Sequence, residues 1–110
     1  MVIGQTGSYR WDYSERSDIL NVHRIGALNA GSAESEDFTL DFDDAGHLIG
    51  VEILNARAFL HAHGITDTLT DIESLELIVR EARGQAIPYL KLTFHDHVEH
   101  LLPIPMTVAV

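Results

Sequence analysis

The chain has no cysteine. That excludes a disulfide framework, thiol catalysis and thiolate metal sites together. The absence suits the cytoplasm without requiring it. Lysine is nearly absent as well: Lys91 stands alone, and the other basic residues are arginines. No run of about 18 apolar residues occurs, so no helix is expected to span a membrane. The opening MVIGQTGSYRWDY has neither a basic segment nor a long apolar stretch and does not read as a signal peptide. A cytoplasmic location is the default expectation.

Positive charge is scarce overall. Seventeen acidic residues face seven basic ones, a formal net charge of -10. Such a surface repels phosphate backbones and anionic membranes, so neither is an expected partner, and a protein with a basic patch is favoured. Arg80 and Arg83 are too few to make a nucleic-acid patch against that charge. With 110 residues, 45% of them hydrophobic, one domain with its own core is expected over 1–110.

The clearest local signal is FTLDFDDAGHLIGVEIL, Phe38 to Leu54. Phe38, Leu40 and Phe42 fall on one face and Thr39, Asp41 and Asp43 on the other. After Asp44-Ala45-Gly46-His47, the residues Ile49, Val51 and Ile53 again share a face. Alternation on both sides of a Gly-containing connection predicts a hairpin. Two earlier strands are predicted over Ser8–Tyr13 and Ile19–Arg24, joined by a turn at Ser14–Ser17, with Leu20 and Val22 facing the core. Residues 1–7 read as loose, and 25–36 as a loop of small and polar residues. Asn55 as N-cap and Gly64 as stop predict a two-turn helix between them, with Phe59 and Leu60 on the sheet.

For residues 71–83 two readings compete. Thr70-Asp71-Ile72-Glu73 has the spacing of a capping box. The alternation of Leu75, Leu77 and Val79 favours a strand that turns at Arg83-Gly84-Gln85 and returns through Ile87–His95. Pro88 restricts that return strand to an edge or its beginning. Val98–Val110 adds a last strand, kept at an edge by Pro103 and Pro105.

Two segments carry a family resemblance. Residues 11–22, WDYSERSDILNV, resemble the opening "YDpeaDaLyI" of the family called domain of unknown function 2283. Residues 40–56, LDFDDAGHLIGVEILNA, resemble its "lDyDedGrlvGiEIlnA" segment. The resemblance covers roughly residues 9–60 and implies a compact antiparallel meander followed by a helix. The family has no established activity and supplies no catalytic residues. Some members are encoded beside small toxin-like proteins, which implies an antitoxin-like partner role. Read from the residues themselves, Gly46 suits a positive-φ turn position and mid-strand Gly50 a bulge or a close approach by a neighbouring element, the helix being the candidate. Asp12 and Asp18 flank the first turn and are candidates to satisfy its amides.

Histidine is over-supplied, with seven residues. In an extended run, His95 and His97 of HDHVEH would project to one side, with Glu99 or His100 as a third metal ligand. The competing reading is a solvated polar connection. Full protonation of all seven would bring the formal charge from -10 to about -3, a route to pH-dependent contacts. DFDDAG is not an EF-hand loop, because Ala45 falls where a ligand is needed. No nucleophile triad, phosphate-cradling loop or paired carboxylates stand out, so no catalytic or cofactor-binding residue is assigned.

The sequence therefore predicts an α+β fold: a small antiparallel β-meander of four strands with one short helix over 9–60, and a β-rich C-terminal extension over 65–110. Leu90, Leu92, Phe94, Leu101, Leu102 and Ile104 make that extension too apolar to stay free. It must cover the first sheet or form a dimer interface, and a homodimer is the favoured expectation. The expected function is that of a non-enzymatic protein-interaction module, an acidic partner of a small basic protein. The alternative is a metal-binding protein using His95, His97 and His100.

Overall fold

A computed structural model describes residues 1–109, the last two by backbone alone. Six strands form the first sheet: β1 (Val2–Thr6), β2 (Tyr9–Ser14), β3 (Ile19–Arg24), β4 (Gly31–Ser35), β5 (Phe38–Phe42) and β6 (Leu48–Ile53). They run antiparallel in the spatial order β1-β2-β3-β6-β5-β4. Then come helix α1 (Ala56–Ala62), a 3-10 turn (Leu69–Asp71) and the strands β7 (Ile72–Ala82), β8 (Gln85–Phe94), β9 (Glu99–Pro103) and β10 (Val108–Ala109). In this second sheet β8 is central, with β7 on one side and both β9 and β10 on the other.

Cross-strand registers set what each face carries, because paired residues share a face and neighbours along a strand alternate. One inward row runs Gly4–Trp11–Val22–Val51–Leu40–Ala33 across all six strands, and the next runs Val2–Tyr13–Leu20–Ile53–Phe38–Ser35. The second sheet lies over this face. Leu75, Leu77, Leu90, Leu92, Phe94, Leu102 and Ile104 join the same apolar cluster, and Ala56 and Leu60 add the buried side of α1. Each of the leucine, isoleucine and phenylalanine side chains, taken wholly from water, contributes about 1.5–3 kcal/mol. The extension thus covers the first sheet within one chain; of its six apolar residues only Leu101 remains substantially exposed, at 36%.

The α+β class is corrected. Among the described residues, nine strands of five residues or more and a two-residue tenth make 55% of the chain, against 9% helix. The four-strand meander is a six-stranded sheet. Its outermost strands, β1 and β4, come from segments that read as loose or looped. Their sequences VIGQT and GSAES put almost no apolar side chain on the core face, so alternation could not reveal them. Backbone ladders to β2 and β5 hold them instead.

The strand reading of 71–83 holds: β7 fills it, and the capping-box spacing is taken by the 3-10 turn. Arg83 and Gly84 both have positive φ, 53° and 76°, the geometry of a two-residue hairpin turn. Pro88 is not on an edge strand; it lies in central β8. Its carbonyl accepts the N–H of Ile104 at 2.9 Å, so its missing N–H points to the same side, just beyond the end of β9. The β8–β9 ladder stops there, and the missing donor costs no further rung. Of the strand expected over Val98–Val110, β9 and β10 form separate pieces, and Val110 lies outside the described residues.

Candidate functional site

The outer face of the first sheet is the broad surface that the second sheet leaves open. The registers give it two rows, Ile3–Asp12–Asn21–Glu52–Thr39–Glu34 and Gln5–Arg10–His23–Gly50–Asp41–Ser32. Six strands at about 4.8 Å spacing make this face about 24 Å wide. Asp12, Glu34, Asp41 and Glu52 lie on it, against Arg10 as the one permanent cation of the two rows. Among the described residues, none of these four carboxylates is in an ion pair.

Gly50 organises the centre of the second row. Its φ is not positive, so the backbone does not demand glycine. Space does: a Cβ there would stand 2.7 Å from Cδ2 of His23 and 3.2 Å from the Val22 carbonyl oxygen. The close approach is thus made by β3, through the His23 side chain, and not by the helix. The imidazole is further held by an Nδ1 contact of 3.0 Å to the Arg24 carbonyl. On the other side of Gly50, Asp41 accepts from Ser32 Oγ at 2.6 Å and from Asn29 Nδ2 at 3.3 Å, both through Oδ1. A β-bulge between Asp41 and Phe42 lies beside it. Next to His23 an open groove of about 260 Å³ is lined by Arg10, Asp12, Asn21 and Arg24.

Of the turn aspartates, Asp43 serves its own turn's backbone, while Asp12 and Asp18 bond elsewhere. Asp43 accepts the N–H groups of Ala45 at 3.0 Å and His47 at 2.8 Å through Oδ1. The bond from His47 is the main reason its carboxyl is held below the ordinary carboxylate range. Asp12 accepts from Asn21 Nδ2 at 3.2 Å. Asp18 does not use its carboxylate on its own turn; Oδ1 accepts the phenolic O–H of Tyr13 at 2.7 Å and the N–H of Arg57 at 3.1 Å. Burial, followed by that bond to Asp18, pushes the Tyr13 phenol up to about 12.

The three candidate metal ligands are placed separately. His95 and Asp96 occupy the middle of a turn closed by the His97 N–H on the Phe94 carbonyl at 2.9 Å, so the segment is not extended and the argument for a shared side lapses. His97, with φ 65°, meets Glu73 Oε2 through Nδ1 at 3.0 Å. His100 turns back to pack edge-on against Phe94, with ring centroids 5.8 Å apart, and buries Nε2. Among the described residues no group of three or more His, Asp or Glu side chains is disposed to hold a metal ion. No helix among them is long and apolar enough to cross a membrane.

Sequence reasoning missed an apolar groove of about 440 Å³ between α1 and the C-terminal segment, lined by Phe38, Phe59, His63, Pro103 and Pro105. Phe59 stands edge-on to both Phe38 (5.2 Å) and His63 (5.1 Å). The helical spacing of Phe59 and His63 was the available signal; the prolines arrive from 40 residues away.

Part of the chain is similar to proteins whose function is not known. An uncharacterized protein of Methanocaldococcus jannaschii is 40% identical over 72 residues, covering 64% of this chain and 62% of the relative. The chain thus spans less than two thirds of that relative. No solved structure matches. Residues 10–57, strands β2 to β6 and the first residues of α1, match the family described as Protein of unknown function (DUF2283), the family whose pattern the sequence displays over this segment.

Proposed function

We propose that this domain is a non-catalytic interaction module that docks a basic protein on the outer face of its first sheet. The observation that carries the reading is the set of four carboxylates, Asp12, Glu34, Asp41 and Glu52, on one open face without an ion-pair partner among the described residues. Unpaired charges of one sign on a broad face steer a complementary partner and gain from neutralisation. The net charge of -10 extends that field over the rest of the surface. An antitoxin-like partner of a small basic protein is the form of this role that the family resemblance suggests.

The test is a titration with the basic product of the neighbouring reading frame at about 50 mM and about 500 mM salt. Binding that weakens steeply with salt, and that is lost when Asp12 and Glu52 are both changed to Lys, supports the role. Absence of binding at the lower salt sinks it.

A further inference from the structure

We infer that β7 is a dimerisation edge: two copies of this chain pair antiparallel through Glu76–Arg80 and join their second sheets. This goes beyond the docking face above and uses none of its residues.

The direction of the main chain carries the first step. The N–H of Leu75 donates to Thr6 Oγ1 at 3.0 Å, away from β8. The β7–β8 register runs unbroken from Ser74 to Ala82. Backbone groups alternate sides along a strand, so Leu77 and Val79 also point their N–H and C=O away from β8. The bond from Ile104 to the Pro88 carbonyl gives the same parity independently. Even-numbered residues of β8 face β9, leaving its odd-numbered ones, paired with even-numbered residues of β7, to close the β7–β8 ladder. Among the described residues, β7 has no strand paired on its other side. Thr6 covers the edge at Leu75; beyond it Leu77 keeps its side chain buried at 6% exposure, and from Val79, 43% exposed, the strand lies open. An open, partly apolar edge is a template for another strand.

The side chains then select the occupant. Glu76, Ile78 and Arg80 share the outer face, opposite buried Leu75 and Leu77. The spacing is self-complementary about Ile78. In an antiparallel pair with its two-fold axis there, Glu76 faces the partner's Arg80, Ile78 faces the partner's Ile78, and Leu77 faces the partner's Val79. The two Leu77–Val79 pairs exchange four backbone hydrogen bonds, and two Glu–Arg pairs flank the axis. Lys91, now shared between Glu76 (3.5 Å) and Glu99 (3.6 Å), keeps Glu99 when Glu76 turns to the partner. The β4 edge lacks this property: pairing about Ala33 sets Ser32 against Glu34 and brings two acidic residues together without a cation.

Sedimentation equilibrium of the full chain from about 1 µM to about 1 mM reads the result. A dimer is expected. Val79→Pro removes an N–H that faces only the open edge, so it should yield a monomer with unchanged far-ultraviolet circular dichroism. Glu76→Arg and Arg80→Glu should each weaken the dimer at least about tenfold, since each sets like charges opposite at two symmetric places. The double swap should restore it, and this rescue decides the matter if Val79→Pro disturbs the fold. A wild-type chain that stays monomeric throughout, or a dimer unmoved by the swaps, overturns the inference.

Discussion

The Asp18 carboxylate accepts the main-chain N–H of Arg57 at 3.1 Å, so the start of α1 is held by a turn 39 residues earlier. The Asp18 carbonyl accepts the neighbouring N–H of Ala56, also at 3.1 Å. Its second carboxylate oxygen lies 3.5 Å from Arg57 Nε. Asn55, which occupies the N-cap position, makes no capping bond; it has φ 52° and gives its amide to Asp37. One aspartate thereby does what an N-cap residue normally does, satisfying two free amides and placing negative charge at the helix start. It does so from the β2–β3 turn and joins α1 to the sheet.

Asp18→Ala should therefore destabilise the fold by about 2–4 kcal/mol. The loss combines a missing cap, an uncompensated Tyr13 hydroxyl and an alanine forced to the positive φ of 56° at this position. Asn55→Gly should change stability by no more than about 0.5 kcal/mol, because glycine accepts the left-handed backbone and no cap is lost. Urea unfolding of both variants compares them directly. A larger loss for Asn55→Gly would contradict the assignment of the cap.

Tyr13 gives a pH signature. Its phenol is pushed up to about 12 in the fold, from an ordinary value of 10.0. The folded state thus keeps a proton that the unfolded chain has released. The stabilisation is complete below the unfolded value and is lost as pH rises from about 10 to about 12, with a slope approaching 1.4 kcal/mol per unit. Phenolate absorbance should show one tyrosine titrating late, and Tyr13→Phe should remove both the late step and its share of the slope.

Gly4 is needed by Trp11. A Cβ on Gly4 would fall inside the indole ring, against Cζ2 and Cε2, and Trp11 is only 3% exposed. Gly4→Ala should cost about 1–3 kcal/mol through overpacking. The indole also donates to Thr6 Oγ1 at 3.2 Å, the oxygen that receives Leu75 N–H. A red shift of tryptophan emission with a lower unfolding midpoint is the expected readout.

At Gly50 the obstacle is a movable side chain. Gly50→Ala must displace the His23 ring and press on the Val22 carbonyl. A loss of about 1–2 kcal/mol is expected, part of it relieved in the background of His23→Ala, which leaves only the carbonyl contact. A double-mutant cycle without coupling would show that the ring does not occupy that space.

The same residues show how far the sequence could be read. Phe38, Leu40, Val51 and Ile53 announce their hairpin because each strand half buries itself by alternation, and Leu75, Leu77, Leu90 and Leu92 announce the second one in the same way. His95 and His97 misled because their alternation carries no apolar side chain to enforce an extended backbone, and the chain turns there. Asp18 was read as serving the nearest amides, since a sequence shows only neighbours along the chain.

By itself, then, the sequence determined the two hairpins, their inward faces, the position of the short helix and the similarity of residues 10–57 to a family of unknown function. These rest on local periodicity, which side-chain burial imposes residue by residue. Tertiary structure alone decided that β1 and β4 extend the first sheet, that Pro88 sits in a central strand, that Asp18 caps α1 and that His23 fills the space above Gly50. Each depends on backbone pairing or on a contact between residues far apart in the chain, and neither leaves a periodic trace in the order of amino acids.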